Sequence, residues 1–97
     1  MQSFWPQQKC PLCENIARYR GIEERKKYFK CPDCHDFVIP QNREETISKL
    51  KKEIREDLSK KSAALKKEFA LLIYFFESVE GTLELRTEIT PRDRWIP

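Results

Sequence analysis

The chain of 97 residues is long enough for one small domain, or for a smaller domain followed by a long helix, but not for two independent hydrophobic cores. Charged residues make up 36% of it and hydrophobic residues 39%, and the formal net charge at pH 7 is only +3. This size excludes most enzyme folds. The small positive charge permits nucleic-acid binding without indicating it.

The N-terminus has no basic start followed by an apolar stretch, so no secretory signal is expected there. The longest apolar run, residues 69–76, is far shorter than the roughly 18 residues that cross a bilayer. We therefore expect a cytoplasmic protein in a reducing compartment, with no membrane contact. In such a compartment, paired cysteines hold a metal more often than they form disulfides.

The first predicted unit is a compact head over residues 1–41, which holds all four cysteines. Residues 16–20 and 26–30 are rich in aromatic and β-branched side chains and flank a turn at Gly21, so they predict a β-hairpin. Residues 37–39 predict a third short strand, which Pro40 ends.

Two C-x-x-C pairs distinguish the head. Cys10 and Cys13 form the first, Cys31 and Cys34 the second, and 17 residues lie between them. This spacing is typical of a zinc site, because four thiolates on two tight turns complete a tetrahedron around one ion. The CPxC sequences at 10–13 and 31–34 resemble the two knuckles of the zinc-ribbon superfamily, over residues 9–40 only. The resemblance implies one structural Zn²⁺ and a local ribbon of short strands, and it specifies no partner.

Other interpretations of the cysteines have less support. Disulfides would need an oxidising compartment, and a thioredoxin-like pair would need a βαβ context. Many ribbons have glycine after each knuckle, where this chain has Glu14 and His35, and this departure favours zinc over an electron-transfer iron site. His35 is expected to be partly exposed and not a ligand, because four thiolates already close the site.

A long helix is predicted over residues 43–80, within a unit of residues 42–81. Asn42 and Glu45 fit a capping box at its start, and no glycine or proline follows until Gly81. Apolar residues recur in steps of three and four, which predicts a coiled-coil seam and a homo-oligomer, dimer or higher. The seam comprises Ile47, Leu50, Ile54, Leu58, Leu65, Phe69, Leu72 and Phe76. In a monomer the helix would break near residues 59–62 and fold back as a hairpin.

Residues 69–76 are apolar on every side of such a helix, which one partner helix cannot cover. Several helices meet there, or the following strand folds back onto it, or the stretch is itself a strand, in that order of preference. Residues 82–90 alternate apolar and charged side chains and predict a half-buried strand in a C-terminal unit of residues 82–97. The predicted fold is therefore α+β: a zinc-ribbon head of three short strands, a long coiled-coil-like helix and a C-terminal strand.

No catalytic constellation is found, so a non-enzymatic role is expected. Six basic residues interleaved with aromatics predict a surface for DNA or RNA. They are Arg18, Arg20, Arg25, Lys26, Lys27 and Lys30. The same aromatics are equally expected in a small ribbon core, with the charges on a solvated hairpin. The alternative function is a protein-protein interaction adaptor or antitoxin-like regulator that docks a larger partner through the C-terminal helix or strand.

Overall fold

The computed structural model describes residues 5–96 and contains one six-stranded mixed sheet. Its strands are β1 Gln7–Lys9, β2 Ile16–Ile22, β3 Lys26–Cys31, β4 His35–Pro40, β5 Phe69–Glu77 and β6 Leu83–Pro91. They lie in the sheet in chain order, and every neighbouring pair is antiparallel except β4 and β5. Met1–Phe4 and Pro97, the outer ends of the predicted head and tail, lie outside the described residues.

Two short helices, α1 Glu44–Ser48 and α2 Lys52–Ala63, form the crossover between the parallel strands β4 and β5. The long helix predicted over residues 43–80 is therefore wrong. The chain leaves the helical conformation at Lys51, with ψ 145°, although neither glycine nor proline lies nearby. Helix propensity is a weak preference, and here two short helices that each pack on the sheet replace one continuous helix.

The coiled-coil seam is lost with the helix, because its residues lie on α1, on α2, on β5 and in the segments that connect them. Ile47, Leu58 and Leu72 are buried, and Leu50 and Leu65 are half-buried against the core. Ile54, Phe69 and Phe76 are exposed on different elements, one on α2 and two on β5. Among residues 5–96, no helix is long and apolar enough to cross a membrane.

Residues 69–76 form most of β5, the third of the alternatives that their composition allows. β5 pairs with β4 on one side, Phe37 opposite Leu71, and along its whole length with β6 on the other. A strand with neighbours on both edges and protein on both faces is apolar throughout and does not alternate. β6, whose outer edge has no partner strand among residues 5–96, keeps the alternation that predicted a strand over residues 82–90.

The sheet has two differently covered faces. On the helix face, where α1 and α2 pack, Phe29 stacks on Phe37 with ring centroids 5.0 Å apart, and Ile47 and Leu58 close the core. This cluster also includes Cys10, Cys31 and Cys34.

A second, smaller cluster lies on the opposite side, which we call the far face. There Tyr28 and Val38 are covered by Trp95 and partly by Trp5.

Candidate metal centre

The two cysteine pairs meet at one end of the sheet. The first knuckle connects β1 to β2 and the second connects β3 to β4, so antiparallel pairing brings both turns together. All four sulfurs lie within 4.8 Å of one another, with 3.9 Å between Cys10 and Cys34 and 3.4 Å between Cys13 and Cys31. A tetrahedral ion with Zn–S bonds of about 2.3 Å requires sulfurs about 3.8 Å apart. The single structural zinc site expected from the sequence is confirmed.

Each knuckle ends in a residue with left-handed backbone: φ is 66° at Glu14 and 62° at His35. In the first knuckle the Glu14 N–H donates to the Cys10 carbonyl at 2.9 Å. Glycine adopts this conformation freely, whereas a residue with a side chain pays about 1–2 kcal/mol. The side chains of Asn15 and Asp33 are hydrogen-bonded across the two turns. His35 is exposed, and all four donor atoms of the cluster come from cysteines.

The pKa values of three of the thiols are shifted in opposite directions. A hydrogen bond from Cys34 lowers the pKa of the Cys10 thiol to about 5, and backbone N–H groups of the knuckle act in the same direction. Burial raises the pKa of Cys13 to about 12. The pKa of Cys34 is also raised, because it donates its proton to Cys10 and is buried. Four thiolates so close together repel one another, so the full ligand set forms only with a cation, and zinc binding must release protons.

Helix α2 is attached directly to this centre. Ser59 Oγ lies 2.9 Å from Cys34 Sγ, and the buried Ser62 hydroxyl donates to the Asp36 carbonyl at 3.1 Å. Arg55 lies 3.5 Å from a carboxylate oxygen of Glu14. A zinc-bound thiolate has no proton, so the Ser59 hydroxyl must be the donor to Cys34 when metal is bound.

Replacing Ser59 by alanine should therefore weaken zinc binding. Outer hydrogen-bond partners of metal ligands typically contribute about 10–100-fold in affinity, so we expect at least a tenfold loss for Ser59→Ala in competition with a chromophoric chelator. Ser48→Ala is the matched control, because Ser48 is exposed and bonds only to a carbonyl of its own helix. Equal zinc affinity in the two variants would contradict a role for Ser59 at the metal.

The structure separates the six predicted basic residues. The register Arg18 opposite Lys30 and Arg20 opposite Tyr28 places Arg18, Arg20 and Lys30 on the far face. Lys26 is on the same face, 3.9 Å from Glu24.

The other two basic residues lie elsewhere. Lys27 is on the helix face, where its Nζ is 2.6 Å from Glu44 and donates to Gln8 at 2.9 Å. Arg25 lies in the turn between β2 and β3, with φ 56°.

Two tryptophans accompany the bases on the far face. The Lys30 Nζ lies 4.5 Å from the centroid of Trp5, and the Arg20 guanidinium lies 5.9 Å from it. Arg94 and Lys26 are similarly placed over Trp95, at 4.4 and 5.8 Å. Trp5 remains partly exposed, whereas Trp95 is buried and donates its indole N–H to Thr90 at 2.8 Å.

Sequence reasoning did not find three of the residues that shape these surfaces. Trp5 follows Phe4 in a short segment ahead of the first cysteine, Ser59 looks like one more polar residue of a helix, and Glu44 looks like part of a charged first turn. Only the position of Trp5 two residues before β1 hints that it could cover the sheet.

Comparisons with family models, with curated proteins and with solved structures found no match. Of the zinc-ribbon resemblance, the structure bears out the four cysteines at metal-binding distance.

Proposed function

We propose that the protein is a non-enzymatic, zinc-stabilised module of zinc-ribbon type that binds single-stranded nucleic acid on the far face of its sheet. The observation that carries this proposal is the strand register, which puts Arg18, Arg20 and Lys30 on one face. Arg20 and Lys30 lie over the partly exposed ring of Trp5. Among residues 5–96, none of these three basic side chains forms an ion pair with a carboxylate. We call these three residues the basic cluster.

The chemistry of the basic cluster suits a flexible polyanion. Guanidinium and ammonium groups neutralise phosphates, and an indole ring offers a surface on which any base can stack. Stacking requires an unpaired base, so single strands are preferred over a duplex. All four sulfurs would be ligands of a structural zinc ion. A closed site with four protein ligands has no open position for a substrate.

The ring of Trp5, beside the basic cluster, packs on a tyrosine that is itself hydrogen-bonded. The Tyr28 hydroxyl is hydrogen-bonded to Asp36, which in turn lies 3.2 Å from Arg92. Burial and the bond to Asp36 raise the pKa of Tyr28 well above its usual range, so the phenol stays neutral. Because Trp5 packs edge-on against Tyr28 at 5.9 Å, the indole has a fixed support.

A binding assay with labelled single-stranded RNA and DNA, measured by fluorescence anisotropy, tests the proposal. Three phosphate contacts to a single strand predict a slope of about −2 in log affinity against log salt, or about a twentyfold loss between about 50 and 200 mM. The triple variant Arg18→Gln, Arg20→Gln, Lys30→Gln should bind roughly tenfold more weakly or worse.

The control removes the same charge from the helices, with Lys49→Gln, Lys52→Gln and Lys60→Gln. All three lysines are exposed on or beside α1 and α2. If both triple variants lost affinity equally, binding would reflect net charge alone and the far face would not be the site. Tighter binding to a duplex than to the single strand would contradict the stacking role of Trp5.

A further inference from the structure

The two edges of the sheet differ. β1, at one edge, is only three residues long, whereas β6, at the other, has nine residues, and no described strand pairs with its outer side. A long, unpaired edge strand is a template for another strand, and natural proteins usually shorten, cover or interrupt such edges. Within residues 83–90, β6 carries no lysine or proline that would block pairing.

The hydrogen-bond pattern shows which residues face the free edge. Ser78 N–H donates to the Thr82 carbonyl and Arg92 N–H donates to the Glu68 carbonyl, at the two ends of the β5–β6 ladder. Hydrogen-bonded pairs alternate along an antiparallel ladder, so even-numbered residues of β6 bond to β5. The N–H and C=O groups of Leu85, Thr87 and Ile89 consequently point to the free edge.

The side chains of β6 form two rows. Leu83, Leu85 and Ile89 lie on the helix face, and the exposed fraction is 41% for Leu83 and 60% for Ile89. On the far face, the row Glu84, Arg86 and Glu88 alternates in charge.

We propose that β6 pairs antiparallel with β6 of a second copy, centred on Thr87. This register overlaps all nine residues of both strands, and it sets Arg86 opposite the partner's Glu88 and Leu85 opposite the partner's Ile89. It makes about six main-chain hydrogen bonds through the groups at the free edge. The exposed Ile89 gains the partner's Leu85 as its cross-strand neighbour, and two ion pairs form across the two-fold axis.

Charge selects this register over its neighbour. A register centred on Arg86 would place that guanidinium opposite itself and Glu84 opposite the partner's Glu88, and like charges directly opposite destabilise a strand pair. The two-fold axis stands perpendicular to the sheet, so the far faces of both copies lie on the same side. This dimer does not depend on nucleic-acid binding.

Sedimentation velocity of the zinc-loaded full chain over a concentration series tests the dimer. Wild type should dimerise reversibly, and Thr87→Pro should be monomeric with zinc content and circular dichroism unchanged. Proline removes the outward N–H of residue 87 and leaves the bonds to β5 in place. A wild-type protein that is monomeric up to its highest soluble concentration would overturn the proposal. The outer edge of β6 would then be a candidate for pairing with a strand of another protein.

A charge exchange tests the register and does not depend on how proline is tolerated. Arg86→Glu should weaken dimerisation about tenfold, and adding Glu88→Arg should restore it. Both variants lose the contacts of Arg86 with Glu84 and Phe76 within the chain, so their difference isolates the pair across the axis. A double variant as weak as Arg86→Glu, or a dimer unaffected by any of these changes, would contradict pairing centred on Thr87.

Discussion

Removal of zinc is expected to unfold the whole described chain, helices included. Three of the four cysteines belong to the same buried cluster as Ile47 of α1 and Leu58 of α2. A structural zinc site contributes roughly 10–16 kcal/mol in small domains, which is comparable to or larger than the roughly 5–15 kcal/mol by which a native domain is stable. Without the ion the two knuckles lose their shared ligand, and Cys34, which Ser59 of α2 contacts, is no longer fixed to the first knuckle by the metal.

The measurement is far-ultraviolet circular dichroism during chelation and after zinc is added back. Helical and sheet signals should be lost together and return together. Retention of the helical signal after complete removal of zinc, checked by elemental analysis, would show that α1 and α2 fold without the metal centre.

Ile47→Ala should destabilise the zinc-loaded protein by about 2–5 kcal/mol, because truncation of a fully buried isoleucine leaves a cavity. Ile47 is 0% exposed within the core that joins α1 to the sheet. Urea unfolding of the zinc-loaded protein measures the difference.

The matched control is Ile54→Ala on α2. Ile54 is 38% exposed, so its replacement should change the free energy of unfolding by less than about 1 kcal/mol. In a coiled coil both residues would lie on one seam, and their replacement would cost similar amounts that depend on protein concentration. Equal losses for the two variants would therefore contradict the packing described for the helices.

The metal centre could be predicted from the sequence because its information is local. Two C-x-x-C turns 17 residues apart need only a hairpin to meet, and the strands expected at 16–20, 26–30 and 37–39 correspond to β2, β3 and β4. Each of these strands pairs with its neighbour in the chain. Spacing and turn chemistry were therefore sufficient here.

The structure from α1 to β6 could not be predicted from local spacing, because it depends on contacts between residues far apart in the chain. Residues 69–76 satisfy a helical period and a strand equally well, and their pairing with β4 on one side and with β6 on the other decides between them. The end of α2 at Ala63 has no glycine or proline to mark it. A run of phenylalanine, isoleucine and tyrosine followed by Gly81 and an alternating segment is itself a hairpin signal, and it competed with heptad spacing.

The sequence alone also could not show which of the predicted nucleic-acid-binding residues share one face of the sheet. Composition selected all six basic residues between positions 18 and 30, but only strand register could separate the far face from Lys27, which is bonded to Glu44 on the helix face. A shift of one residue would have exchanged the two sets. The role of these residues in binding stays a proposal for the anisotropy assay.

We expect the metal centre and the β5–β6 hairpin to belong to one cooperative unit. Amide hydrogen exchange of the zinc-loaded protein, read at Phe29 in β3 and at Leu72 and Ile73 in β5, tests it most directly. The structure predicts the same opening free energy at all three amides and the loss of protection at all three once zinc is removed. Protection that persists in β5 after β3 has lost it would show an independent zinc head and contradict the claim.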